Sequence, residues 1–351
     1  MASHPALSTH RTIFDESMRR TKLSRTQIAG VVTMVILLLL VITVYLDTVL
    51  DNPIDATYWV KALTGPVIIC FLLLTWPILE ALCSQAMIAI KSVVQIDELA
   101  FHRSMVDKTP RFRRGEWFAV AVGMVIGNLI LRPWSEPSIW LGIYLAISGG
   151  LMFSLIFWLV YNVFMANRQF ARMLRRPLRI NFFDLKPLES IARWSLGITL
   201  TFMGSITLSM LFLIPTSDPT ENLKRAIIFG ALIMAALSLF FINLLSTHRA
   251  MVKAKNQELE VVHDKLEATS RTLKGTAKDV PHCAVEMEAL SKSMAAWVSY
   301  EKWMRAAPEW PCNRRMRGSL LLSMFLPVVA LILAWVVWGV VLPLYPLVAF
   351  T

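Results

Sequence analysis

Seven apolar runs, each long enough to cross a bilayer, constrain this chain more than any other feature of its sequence. They extend over Ile28 to Leu46, Ala62 to Leu82, Trp117 to Leu131, Ile139 to Phe164, Trp194 to Ile214, Ala226 to Leu245 and Leu320 to Leu342. Roughly 20 residues of α-helix, rising about 1.5 Å each, cover a hydrocarbon core of about 30 Å. A backbone in hydrocarbon must satisfy its own polar groups, so runs of this length predict helices. Charged residues make up only 17% of the chain, against about 25% in a soluble domain. The expected fold class is therefore all-α, a polytopic membrane protein with seven transmembrane helices.

Basic residues orient it. Of 35 Lys and Arg, only Lys61, Arg132, Lys224 and Arg225 lie on one side of the runs, leaving 31 on the other. Cytoplasmic loops carry the excess of Lys and Arg, which predicts a cytoplasmic N-terminus and an outward C-terminus. Met1 to Thr26 is polar and the first run lacks a small-residue cleavage site, so that run reads as a retained signal anchor. The net charge of +11 follows from this topology. It does not mark a nucleic-acid site, because no basic cluster is interleaved with stacking aromatics.

The outward connections are short: Asp47 to Trp59, the tight turn Pro133 to Ser138 (PWSEPS), and Pro215 to Leu223. The inward ones continue their helices. Ser84 to Met105, Asn167 to Arg176 and Ser246 to Lys274 contain no Pro or Gly. In the last of these, Val252, Lys255, Leu259, Val262, Leu266, Thr269 and Leu273 recur at spacings of three and four, a coiled-coil type of seam. Gly275 to Pro281 reads as a break. Met287, Leu290, Met294, Trp297, Glu301 and Met304 then make a second seam. Two such helices predict an antiparallel hairpin. The expected organisation is a cytoplasmic tail (1–27), a six-helix transmembrane region with helix extensions (28–246), a cytoplasmic helical hairpin (247–313), and a seventh span with a short outer tail (314–351).

Small residues recur on the fourth run (Gly142, Ala146, Gly150, Ser154) and the fifth (Gly197, Thr201, Ser205, Ser209), and the third carries Gly123 and Gly127. Such faces let helix backbones approach in lipid, and they are expected to meet one another within one subunit. Pro66, Pro77 and Pro327 each free a backbone carbonyl and bend their helix. Trp59, Trp117, Trp134, Trp140 and Trp194 fit an interfacial aromatic belt. Arg111, Arg113, Arg114, Arg175, Arg176 and Arg179 are placed against an anionic inner leaflet.

The candidate functional residues are few. Glu80 is the acidic residue inside a run, and an intramembrane ionisable group is a functional candidate by default. Asn128, Asn162 and Asn243 are the amides within runs. Pro327 makes the seventh run irregular, a candidate hinge. Trp310, in PEWP, ends the hairpin at the membrane surface. Cys70, Cys83, Cys283 and Cys312 show neither disulfide nor metal-ligand spacing, and no phosphate cradle or catalytic motif occurs. No metal, cofactor or catalytic residue is assigned.

Arg179 to Leu188 (RINFFDLKPL) before the fifth run and Pro308 to Pro311 (PEWP) before the seventh resemble a pair of elbows in an uncharacterised family of bacterial polytopic inner-membrane proteins. The resemblance covers about the C-terminal half of the chain. It implies a bacterial plasma-membrane protein and brings no activity with it. Three function classes follow from the pattern: a non-enzymatic signalling or scaffold protein whose stalk couples the membrane to a cytosolic partner; an oligomeric ion channel lined by the seventh span; and a small-molecule transporter.

Overall fold

The computed structural model describes residues 25–52, 54–93, 110–174, 186–212, 219–279, 284–307 and 314–336. Eight α-helices run through them: α1 Arg25–Val49, α2 Ala56–Val93, α3 Pro110–Leu131, α4 Ile139–Leu174, α5 Lys186–Leu211, α6 Pro219–Asp279, α7 Ala284–Ala306 and α8 Arg314–Val336. A single 3-10 turn, Pro133–Ser135, joins α3 to α4. No strand occurs among the described residues.

Helices α1 to α6 are each long and apolar enough to cross a membrane. Six of the seven expected spans are thus present. The apolar part of α8 among the described residues is Gly318–Ala334, roughly 25 Å of helix; 337–342, which would complete the span, lie outside them. Exposed Val35, Leu38, Val41, Val125, Ile228, Phe325 and Ile332 give these helices an outer surface that water cannot solvate favourably and lipid can. The molecule is an all-helical protein built for membrane insertion.

The packing has a spine. α2 and α4 lie side by side and parallel, with Tyr144 reaching Ala62, Gly65 against Ser148 and Trp76 against Trp158 at 4.4 Å between ring centroids. α1 packs on both, α3 on α4, and α5 on the other side of α2. α6 and α8 both pack on α5, where Met203, Ile206 and Met210 meet Ala236 and Leu237 of α6 and Ala330 of α8.

Small residues build these contacts, though not all where expected. A Cβ on Gly123 would come within 2.6 Å of the Phe153 carbonyl oxygen and 2.8 Å of Ser154 Cα. Glycine alone permits that approach of α3 to α4. Ser154 Oγ donates across the same contact to the Val120 carbonyl at 3.0 Å. The α5 stripe does not meet that of α4. Gly197 faces Leu79 and Leu82 of α2, and Gly204 faces Phe71. The hydroxyls of Thr201, Ser205 and Ser209 instead donate to carbonyls one turn back on α5, which satisfies them where no water is available.

α6 is the longest element. Its 61 residues extend roughly 90 Å, far more than a bilayer needs. It starts before Ala226 and passes through Gly275 without a break. A lone glycine costs a helix only about 1 kcal/mol, and the stretch between α6 and α7, 280–283, lies outside the described residues. α7 returns antiparallel along α6. Every expected seam position of α6 is buried or half-buried and most residues between them are exposed, and Leu290, Met294, Trp297, Glu301 and Met304 of α7 are buried or half-buried too, while the Met287 side chain lies outside the described residues.

Candidate functional site

Three features of the molecule concentrate polar chemistry: the end of the bundle around Asp47, the opposite and basic end around Glu80, and the base of the α6–α7 stalk.

The Asp47 end is built from helix termini. α1 closes with Asp51 in the left-handed region (φ 54°) and the Asn52 N–H bonded to the Asp47 carbonyl at 3.0 Å, a Schellman-type ending with aspartate where glycine is usual. Asp55 caps α2 by accepting from the Tyr58 N–H at 2.7 Å. Ser138 caps α4 by accepting from the Leu141 N–H at 3.1 Å. Asp47 joins all three. Its carboxylate is fully buried and accepts from Asn52 Nδ2 at 2.9 Å, from the Tyr58 hydroxyl at 2.9 Å, and from the Ser138 hydroxyl. The N-termini of α2 and α4 both lie here, and the positive ends of their dipoles favour the anion. At the rim, Lys61 pairs with Glu136 at 2.8 Å.

Sequence reasoning assigned Asp47 to a loop and missed this cluster. The available signal was the spacing of Asp47, Asp55 and Ser138, each at a helix boundary next to an apolar run.

Two turns beyond Tyr58, α2 meets Pro66. Proline has no N–H to offer the Ala62 carbonyl. The buried Tyr144 of α4 supplies the missing donor at 2.9 Å. The helix continues through Pro66 and Pro77, with one freed carbonyl satisfied by a neighbouring helix as membrane helices require.

At the basic end, Glu80 is half-buried on α2, one turn beyond Trp76. Asn162 lies one turn beyond Trp158 on α4. The parallel register of the two helices therefore sets Glu80 and Asn162 at one level. Asn162 Nδ2 donates to the Trp158 carbonyl at 2.8 Å. Tyr58 to Glu80 is roughly 33 Å of helix, about the hydrocarbon thickness, so the two polar ends bracket one apolar slab and Glu80 stands at its edge. Glu116, buried at the start of α3, lies at the same end, where Gly115 lets the Tyr161 hydroxyl come close. Its place just outside the apolar run hid it from sequence reading.

Of the remaining candidates, Asn128 and Pro327 join neither polar end. Asn128 donates to the Met124 carbonyl of its own helix at 2.9 Å and packs toward Gly150. Asn243 lies on α6, but its side chain is outside the described residues, as is Trp310 with the rest of PEWP. Pro327 is buried within α8, which stays helical through it. Trp59, Trp117, Trp134 and Trp140 are exposed as a belt requires, but Trp194 is not. It packs edge-on against Phe170, 4.8 Å between centroids, and belongs to the core. Cys70 and Cys83 are free thiols, while Cys283 and Cys312 lie outside the described residues. No group of three or more His, Cys, Asp or Glu among the described residues is placed to hold a metal.

The stalk has its own buried charge. Lys255, one of the polar seam positions, is 6% exposed. Its Nζ donates to the carbonyls of Arg305 at 2.9 Å and Ala307 at 3.0 Å. These are among the last carbonyls of α7, which lack partners within their helix and carry the negative end of its dipole. Leu259, Tyr300, Met304 and Ala307 pack around the contact. Further along α7, Trp297, Tyr300 and Trp303 follow at helical spacing with neighbouring centroids 6.2 Å apart, and Trp303 is exposed.

No protein-family model matches the chain, and no curated protein or solved structure matches it either.

Proposed function

We propose that this chain is a non-enzymatic scaffold of the bacterial plasma membrane, with its N-terminus and stalk in the cytoplasm, seven spans, and the α6–α7 hairpin as a docking post for a cytosolic protein. The observation that carries this reading is the stalk. α6 leaves the apolar slab and continues as one uninterrupted helix, and α7 folds back along it in a defined register. Holding two helices out in water costs conformational entropy, and the buried seam offsets that cost without needing the exposed face. That face is the docking surface of this reading. It presents Trp303 and Val298, both exposed, and tryptophan is among the residues that most often anchor protein interfaces.

The test uses the full chain in lipid nanodiscs. Proximity labelling from the hairpin in cells identifies partners, and binding of each purified partner is then measured to the chain and to Trp303→Ala. Loss of tenfold or more in affinity supports the reading. A set of partners that bind Trp303→Ala and a stalk-deleted chain (lacking 256–303) as well as the parent would overturn it.

A further inference from the structure

We propose that the base of the stalk holds the phosphate of a membrane lipid, in a groove on α6 lined by His248, Arg249, Val252, Lys253 and Asn256. The groove is shallow and open, with about 410 Å³ of free space and Glu260 on its far rim. This goes beyond the scaffold reading and stands whether or not a protein docks on the hairpin.

Position is the first argument. No charged residue falls between Arg225 and Arg249, and that stretch of α6 spans roughly 36 Å. Arg249 therefore stands where a bilayer's hydrocarbon gives way to its headgroups, a layer about 5–8 Å deep on each side. Lys253 is one turn further out. Side chains on a helix lean toward its N-terminus. α6 points out of the slab, so both cationic side chains lean back toward the membrane, and their long stems let the charges reach the headgroup layer.

The face below the groove is the second argument. Moving back by single turns from Arg249 and Lys253 leads to Leu245, then Phe241 and Ile242, then Met234 and Ser238, and the large apolar side chains among them are exposed. One helical face thus offers an acyl chain an apolar track that ends at two cations. The third argument is availability. Arg249 and Lys253 are exposed, and neither has an ion-pair partner among the described residues. The amide of Asn256 adds a neutral donor, and Val252 floors the groove with hydrocarbon. The Glu260 carboxylate lies seven residues beyond Lys253, roughly 10 Å further along α6, and rejects anions at that rim.

The ligand class is an anionic glycerophospholipid, which carries both a phosphate and acyl chains. The full chain is reconstituted in nanodiscs of equal phosphatidylcholine and phosphatidylglycerol, and the lipids it retains are counted by native mass spectrometry. Retained phosphatidylglycerol is expected to exceed phosphatidylcholine, and each of Arg249→Gln and Lys253→Gln is expected to lower that enrichment by roughly fivefold. Lys265→Gln with Lys274→Gln removes equal charge further along the stalk and should leave it unchanged. Both target side chains are exposed, so the variants fold. Enrichment that persists in the Arg249→Gln, Lys253→Gln double variant, or that falls as far in the distal control, would overturn the proposal. Tight binding of inorganic phosphate to the lipid-free chain in detergent, lost in the double variant, would overturn the lipid assignment in favour of a soluble anion.

Discussion

The membrane bundle and the stalk each bury a charge among helix ends, Asp47 in one and Lys255 in the other, and these two have opposite sign. Asp47 sits among the starts of α2 and α4 and takes hydrogen bonds from three side chains. Lys255 sits at the end of α7 and gives hydrogen bonds to two of its carbonyls. Each charge matches the dipole end it faces. The difference lies in what surrounds them. In lipid there is no hydrophobic drive between helices, so the bundle relies on close backbone approach, as at Gly123, and on polar clasps such as Asp47. In water the stalk's apolar seam supplies the drive, and Lys255 fixes register.

If that contrast holds, losing the clasp should harm the bundle most. Asp47→Ala leaves the Tyr58 and Ser138 hydroxyls and the Asn52 amide without their buried acceptor. At about 1.5 kcal/mol for each hydrogen bond to a charged group, the loss is about 4.5 kcal/mol. It is read as a lowered thermal midpoint of the chain in nanodiscs. Asp47→Asn keeps the shape and one acceptor, and should lose about half as much.

Next in size is the backbone contact. Gly123→Leu must push α3 off α4, because the new Cβ alone meets the Phe153 carbonyl at 2.6 Å. Overpacking of this kind costs about 3 kcal/mol. The same change at Gly230, where a Cβ meets nothing within 4 Å, should leave the midpoint unmoved. Equal losses at both positions would remove the distinction between packed and lipid-facing glycines. In the stalk, Lys255→Met keeps the apolar stem and deletes the donors, for about 2 kcal/mol. Its effect should be local: faster amide exchange across 300–307 with the bundle's midpoint unchanged.

How far sequence alone carried the fold follows from the same contrast. The apolar runs and the 3–4 spacing of the seams are set by solvent, and both could be read: Val262 and Met304 are as buried as their positions predict. Pairing between helices is set by shape. The small-residue stripes of α4 and α5 look alike, yet one meets α3 and the other α2, because the stripe shows that a backbone can approach and not which one does. Asp47 was hidden for a related reason. A carboxylate beside a turn looks solvated until its three donors, drawn from three separate segments, are brought together. Glu80 could be read as the acidic residue of its run, but its level with Asn162 depends on the α2–α4 register, which no single segment carries.

The smallest effect tests the stalk by pH. The Tyr300 hydroxyl donates to Glu258 Oε1 at 3.3 Å, bridging α7 to α6. Burial first, and then the Glu258 carboxylate, hold the phenol above its ordinary range, which is about 10. A raised folded value means that the neutral phenol is the form the hairpin favours. Its contribution is complete below the unfolded value and fades as pH rises through the folded one. The stalk should therefore be insensitive to this group from neutral pH to about 10 and loosen above it. Fluorescence of Trp297 and Trp303, whose rings neighbour Tyr300, reports the change. Tyr300→Phe removes both the bridge and the titration, so its curve should lack the alkaline step seen in the parent. A step of equal size in both proteins would assign the transition to lysine deprotonation and leave Tyr300 with no part in holding the hairpin together.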